Sequence, residues 1–80
     1  MPEPTASPER VTVYVELLEE GTVCLRPVEA VVRGNVYTLI APPDYDPQSE
    51  RWAFPPGSRV RCRAEPWSGG VVLVAREGAE

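Results

Sequence analysis

Two stretches of the chain alternate strictly between apolar and other residues, a period that only a strand with one buried face can satisfy. In residues 11–17, Val11, Val13, Val15 and Leu17 share one face, with Thr12, Tyr14 and Glu16 on the other. In residues 58–65, Val60, Cys62 and Ala64 point one way and Arg59, Arg61 and Arg63 the other. Ten prolines and six glycines punctuate the 80 residues, leaving no room for a helix longer than a turn. A chain this short is one domain with a thin core.

The rest of the chain supplies three more strands. Leu18, Glu19, Glu20 and Gly21 read as a turn, with Gly21 free to take positive φ. A long strand over 22–33 follows, whose apolar phase changes: Val23 and Leu25 precede Pro27 on one face, and Val28, Ala30 and Val32 follow it on the other. A proline at a phase change predicts a bulge or bend. Gly34 and Asn35 form a two-residue hairpin signal, after which residues 36–41 make a third strand. Residues 42–57 are the one long connection, with Asp46 and Pro47 placed as N-cap and N1 of a single helical turn near 47–51. The fourth strand ends at a turn made by Pro66, Trp67, Ser68, Gly69 and Gly70. A fifth, apolar on both faces, runs from Val71 to about Arg76 and is expected to be covered on both sides. Five antiparallel strands in meander order predict an all-β, small five-stranded SH3-like barrel, with an OB-like barrel as the alternative.

Residues 1–10 carry three prolines and almost nothing apolar. They are expected to form a flexible arm, without the apolar h-region of a secretory signal. The barrel is expected to span residues 11–77, and residues 78–80 to fray. No apolar run approaches the length of a membrane span, and a cytoplasmic protein without membrane contact is the expectation.

Four short fragments resemble those of a group of short stand-alone bacterial proteins of unknown function. They are Glu20-Gly21-Thr22, Arg26-Pro27-Val28, Trp52-Ala53-Phe54 and Pro56-Gly57-Ser58-Arg59-Val60-Arg61-Cys62. The resemblance runs from about residue 11 to 77. It implies a stand-alone small protein and brings no activity, substrate or binding residue with it.

The chemistry available to the chain is narrow. Histidine and lysine are both absent, which removes the commonest general base, the commonest metal ligand and Schiff-base chemistry. Cys24 and Cys62 are too far apart for a C-x-x-C motif and are expected to be buried free thiols. Alternation turns Arg61 and Arg63 away from Cys62, against an activated thiolate. Ser68 lacks the context of a nucleophile elbow. Asp44, Asp46 and Glu50 lack the glycine and later glutamate of a calcium loop and read as turn and cap residues. No catalytic, cofactor or metal site is expected.

Two binding surfaces remain. Arg59, Arg61 and Arg63 on one strand face, with Trp67 or Trp52 near, could grip a single-stranded nucleic acid. The bland alternative is a solvated face whose arginines pair with Glu16, Glu29 or other acids. A net charge of −4 also disfavours nucleic acid. Trp52 and Phe54 could form a platform for a proline-rich peptide, or the loop could fold back so that both rings plug the barrel end. The expectation is therefore a non-catalytic interaction or scaffold module, through loop 42–57, the Trp67 turn or an exposed sheet edge. Its partner is expected to be a protein or peptide, its oligomeric state is open, and nucleic-acid binding is the alternative.

Overall fold

The computed structural model describes residues 9–67 and 69–79. Five strands, β1 (Glu9–Leu17), β2 (Cys24–Arg33), β3 (Val36–Leu39), β4 (Arg59–Trp67) and β5 (Gly70–Gly78), form a closed barrel in sequential order. This is the all-β five-stranded barrel that the alternation predicts. Four seams are antiparallel; the fifth, between β1 and β5 at Tyr14 and Val74, is parallel. An odd number of strands in up-and-down order leaves the first and last running the same way, so one seam has to be parallel.

The alternating residues build the core. Val13 and Val15, Val28 and Ala30, Leu39, Val60 and Ala75 are buried, with one or two from each strand. Val11, Leu17, Cys62 and Leu73 pack against them from the ends. β5 is covered on both faces only at Val74 and Ala75, since Val71 is 70% exposed.

Followed once around the ladder, the partners of Glu9 are Val32, Tyr37, Val60 and Gly78. The parallel register then returns to β1 beyond Leu17. A circuit displaced by a strand length is the stagger that tilts the strands of a small barrel.

Gly34 and Asn35 make the expected hairpin, with Gly34 at φ 61° and Arg33 opposite Val36. Glycine with positive φ at the first central position is the type II′ geometry. The β4–β5 hairpin is tighter than expected, because Trp67 pairs with Gly70.

The bulge expected at Pro27 is absent. The β1–β2 register is unbroken from Leu17 opposite Cys24 to Glu9 opposite Val32, and the bulge lies on β5 at Arg76, where the register shifts between Arg61 and Cys62. Backbone groups of successive strand residues point to opposite neighbours. The Ile40 N–H donates to the Glu29 carbonyl, so Pro27, two residues earlier, also faces the β3 side. β2 pairs with β3 only from Ala30 onward, and the missing proline donor costs no ladder bond. The apolar phase change is accommodated by Arg26, which shares the parity of Val28 and Ala30. Its guanidinium meets Asp44 at 3.1 Å and Glu50 at 3.4 Å.

Residues 40–58 fold back over the barrel end formed by the last residues of β1 and the first of β2. Trp52 bridges to Leu17, while the Leu18 N–H donates to the Arg51 carbonyl and the Ala53 N–H to the Glu16 carbonyl. The single turn after Asp46 is present. The Glu50 N–H donates to the Asp46 carbonyl, and the Asp46 side chain accepts from the Gln48 N–H and the Ser49 hydroxyl.

Two terminal expectations change. Glu9 and Arg10 belong to β1 rather than to an arm, and residues 1–8 lie outside the described residues. Gly78 pairs with Val60 and Ala79 is buried, its N–H donating to the Arg59 carbonyl, so neither frays. Glu80 lies outside the described residues.

Because Pro27 gives up no ladder bond, Pro27→Val is expected to shift unfolding free energy by less than about 1 kcal/mol in either direction. Urea titration checks this, and a larger loss would show that the proline shapes the strand.

Candidate functional site

β4 outlasts its neighbour. It pairs with β3 only through Arg59 and Val60, although it runs to Trp67. Among the described residues, no backbone partner lies on the β3 side of β4 beyond Val60. The direction of its backbone groups is fixed by two bonds: the Ser58 carbonyl accepts from Leu39, and the Arg59 carbonyl accepts from Ala79 beyond β5. Alternation therefore sends the N–H and C=O of Cys62 and Ala64, and the C=O of Pro66, to the open side. Pro66 has no donor to lose there, which is where a strand tolerates proline.

The two faces of the overhang differ in chemistry. On the inner face, Ala64 lies opposite Leu73 and Pro66 opposite Val71. Ala64, Pro66 and Val71 are exposed because the hairpin has run past the barrel that buries Val60. The outer face carries Arg61, Arg63, Glu65 and Trp67, in a row that Arg59 begins within the barrel.

The predicted stripe is thus assembled as read, with Arg59, Arg61 and Arg63 all exposed. Its arginines do not meet the acids proposed for them. Glu29 is held by Arg10 at 3.4 Å and Glu16 by Arg76 at 3.2 Å. Among the described residues, Arg59, Arg61 and Arg63 form no salt bridge, whereas Arg10, Arg26, Arg51 and Arg76 each do. Trp67 is 37% exposed, and its indole N–H donates to Glu65 at 3.4 Å.

Of the two readings of Trp52 and Phe54, a peptide platform or a plug, their burial fits the plug. Trp52 is only 5% exposed and belongs to the core, edge-on to Tyr45 at 4.9 Å, with its indole N–H donating to Glu50 at 2.9 Å. Phe54 is half-buried against the same core. The two rings are the plug of the barrel end.

Glu65 is the electrostatic centre of the outer face. Arg76 donates to both of its oxygens, at 2.6 and 2.8 Å, and this holds the Glu65 carboxyl below its usual range, with Trp67 adding to the effect. The same pairing raises Arg76. On the same outer side of the sheet Val74 is fully buried, opposite Arg63 and Tyr14.

Cys24 and Cys62 are free, as expected, but half-buried rather than buried. Burial pushes the Cys62 thiol up to about 11, so it is protonated at neutral pH and a poor nucleophile. Asp44 and Glu50 serve Arg26, and Asp46 caps its own turn. Among the described residues no group of three His, Cys, Asp or Glu side chains is placed to hold a metal.

Sequence reasoning missed the apolar inner face, Ala64, Pro66, Val71 and Leu73, as a surface. The third strand reads two residues too long, to Ala41, and the fourth reads as ending before Pro66, which hides how far the fourth outlasts the third.

Two depressed carboxyls contribute to the acid limb of stability. Hydrogen bonds from the Gln48 N–H and then Ser49 lower Asp46, and Arg76 lowers Glu65. Their stabilisation is complete above the unfolded carboxylate range, about 4 to 4.5, and is lost as pH falls through the depressed folded values. The melting temperature should be flat above about pH 5 and fall below about pH 4, with Glu65→Gln flattening part of that fall. An unchanged acid limb in the variant would show that the Arg76 pair contributes nothing. Trp52→Ala should cost about 3–5 kcal/mol by urea titration, against about 1 kcal/mol or less for Trp67→Ala on the exposed face.

The chain matches no family model, no curated protein and no solved structure.

Proposed function

We propose that the protein is a non-catalytic interaction module that takes up an extended, acidic segment of a partner protein as an added strand on the open edge of β4. One observation carries the reading: the same strand combines an unpaired backbone edge with three exposed arginines that form no salt bridge among the described residues, although Arg63 lies near enough to Glu65 to help lower it. Strand addition takes its affinity from main-chain hydrogen bonds and its specificity from alternate side chains.

The two faces of the overhang define the ligand. Residues of the added strand on the outer side meet Arg61 and Arg63, where carboxylates can bind in a bidentate manner. Residues on the inner side meet Ala64, Pro66 and Val71, where small apolar groups fit. The preferred segment therefore alternates acidic and apolar residues. Pro66 removes one donor from the edge, which lowers affinity and discourages indiscriminate strand pairing.

The same stripe, with Trp67 at its end, supports single-stranded nucleic acid as the second reading, since an exposed indole beside arginines can stack a base. That reading leaves the open backbone edge unused and works against the overall charge of −4. A cytoplasmic setting in a bacterium belongs to the same reading, in keeping with the free thiols at Cys24 and Cys62. No helix among the described residues is long and apolar enough to cross a membrane.

The test is a pair of titrations of dilute, isotope-labelled protein. One uses a peptide of about eight residues alternating Glu and Val, the other a thymidine oligonucleotide of similar length. The peptide is expected to shift the Cys62 and Ala64 amides, and the combined Arg61→Ala and Arg63→Ala substitutions to weaken it about tenfold, or about 1.4 kcal/mol. No response to the peptide, with oligonucleotide shifts at Arg59, Arg61, Arg63 and Trp67 that vanish in salt, would replace this reading with the nucleic-acid one.

A further inference from the structure

We infer that, when no partner segment is bound, a second copy of this chain occupies the open edge, β4 pairing antiparallel with β4 across a two-fold axis at Ala64. The inference does not rest on the peptide reading. It rests on the edge being complementary to itself in one register.

An isologous interface requires each residue to meet its own mirror position. With Ala64 opposite Ala64, Cys62 lies opposite Pro66 and Arg63 opposite Glu65, each twice. The Ala64 N–H and C=O both point to the open side, so this pair exchanges two hydrogen bonds, and each Cys62 N–H finds the Pro66 carbonyl of the other copy. The missing donor of Pro66 leaves only the Cys62 carbonyl without a protein partner.

Charge selects this register. Arg63, which has no salt bridge among the described residues, faces a carboxylate on the other copy, and opposite charges directly across a sheet are favourable. At the ends Arg61 approaches the exposed Trp67 of the other copy, a cation–π geometry. A shift of two residues along the strand would set Glu65 against Glu65 or Arg63 against Arg63. A shift of one would turn charged faces against apolar ones. The overlap stops at the β2–β3 hairpin, where Val36 stands level with Arg61, so pairing covers residues 62–66. The exposed inner-face residues Ala64, Pro66 and Val71 then become contiguous across the axis.

An interface this small is weak. Sedimentation of the full chain under reducing conditions should show monomer giving way to dimer between about 10 µM and about 1 mM, with Arg63→Glu shifting the midpoint about tenfold to higher concentration. The register has its own test. A hydrogen-bonded antiparallel pair sets Cα atoms about 5.5 Å apart, within disulfide reach, so Ala64→Cys should cross-link rapidly with diamide. Arg61→Cys, whose counterpart in this register is Trp67, should not. Ala64 is exposed, and a wild-type amide spectrum of the reduced variant at low concentration confirms its fold. A wild-type protein that stays monomeric at about 1 mM, or Arg61→Cys cross-linking as fast as Ala64→Cys, would overturn the inference.

Discussion

β3 is too short for its neighbours, and the rest of the molecule follows from that. Its four residues stand between a ten-residue and a nine-residue strand. Gly34 and Asn35 begin it with a tight turn, and Pro42 and Pro43 prevent it from continuing, since neither can donate to a ladder. β2 and β4 therefore each run on with no partner on their β3 side among the described residues, at opposite ends of the barrel. The two overhangs meet different fates.

The overhang of β2 is covered. Residues 40–58 cross that end and insert Trp52, with Tyr45 edge-on to it. Glu50 links the loop to the strand, accepting the Trp52 indole N–H and lying 3.4 Å from Arg26 Nε, without the alignment of a hydrogen bond. In a core made of valines, alanines and one leucine, a single buried indole is the largest apolar contribution. The loop thus belongs to the hydrophobic core as much as to the surface. The overhang of β4 has no such cover among the described residues. Its inner face opens as it leaves the barrel, from buried Val60 through half-buried Cys62 to exposed Ala64. Its outer face keeps Arg61 and Arg63 in water.

Much of this was legible in the chain. Alternation marked β1 and β4 and the faces they bury, and Gly34 with Asn35 marked the hairpin. The plug was one of two readings of Trp52 and Phe54. What could not be read depends on who stands beside whom. Pro27 looked like a bend because proline interrupts a ladder only on the side its nitrogen faces, and that side is vacant only because β3 is short. The arginines of β4 looked neutralised by Glu16 and Glu29 because both acids sit on strands, but the barrel hands them to Arg76 and Arg10 instead. Trp52 and Trp67 are chemically identical, and only closure decides that one fills the core and the other meets solvent.

Among the described residues β4 has one satisfied edge and one open edge, and amide hydrogen exchange reads this directly. In dilute protein the Arg61 and Arg63 amides, directed at β5, should be protected. The Cys62 and Ala64 amides, directed at the open side, should exchange nearly as fast as in an unfolded chain. Equal protection along all four residues would mean that another part of the molecule already covers this edge, and would contradict the account.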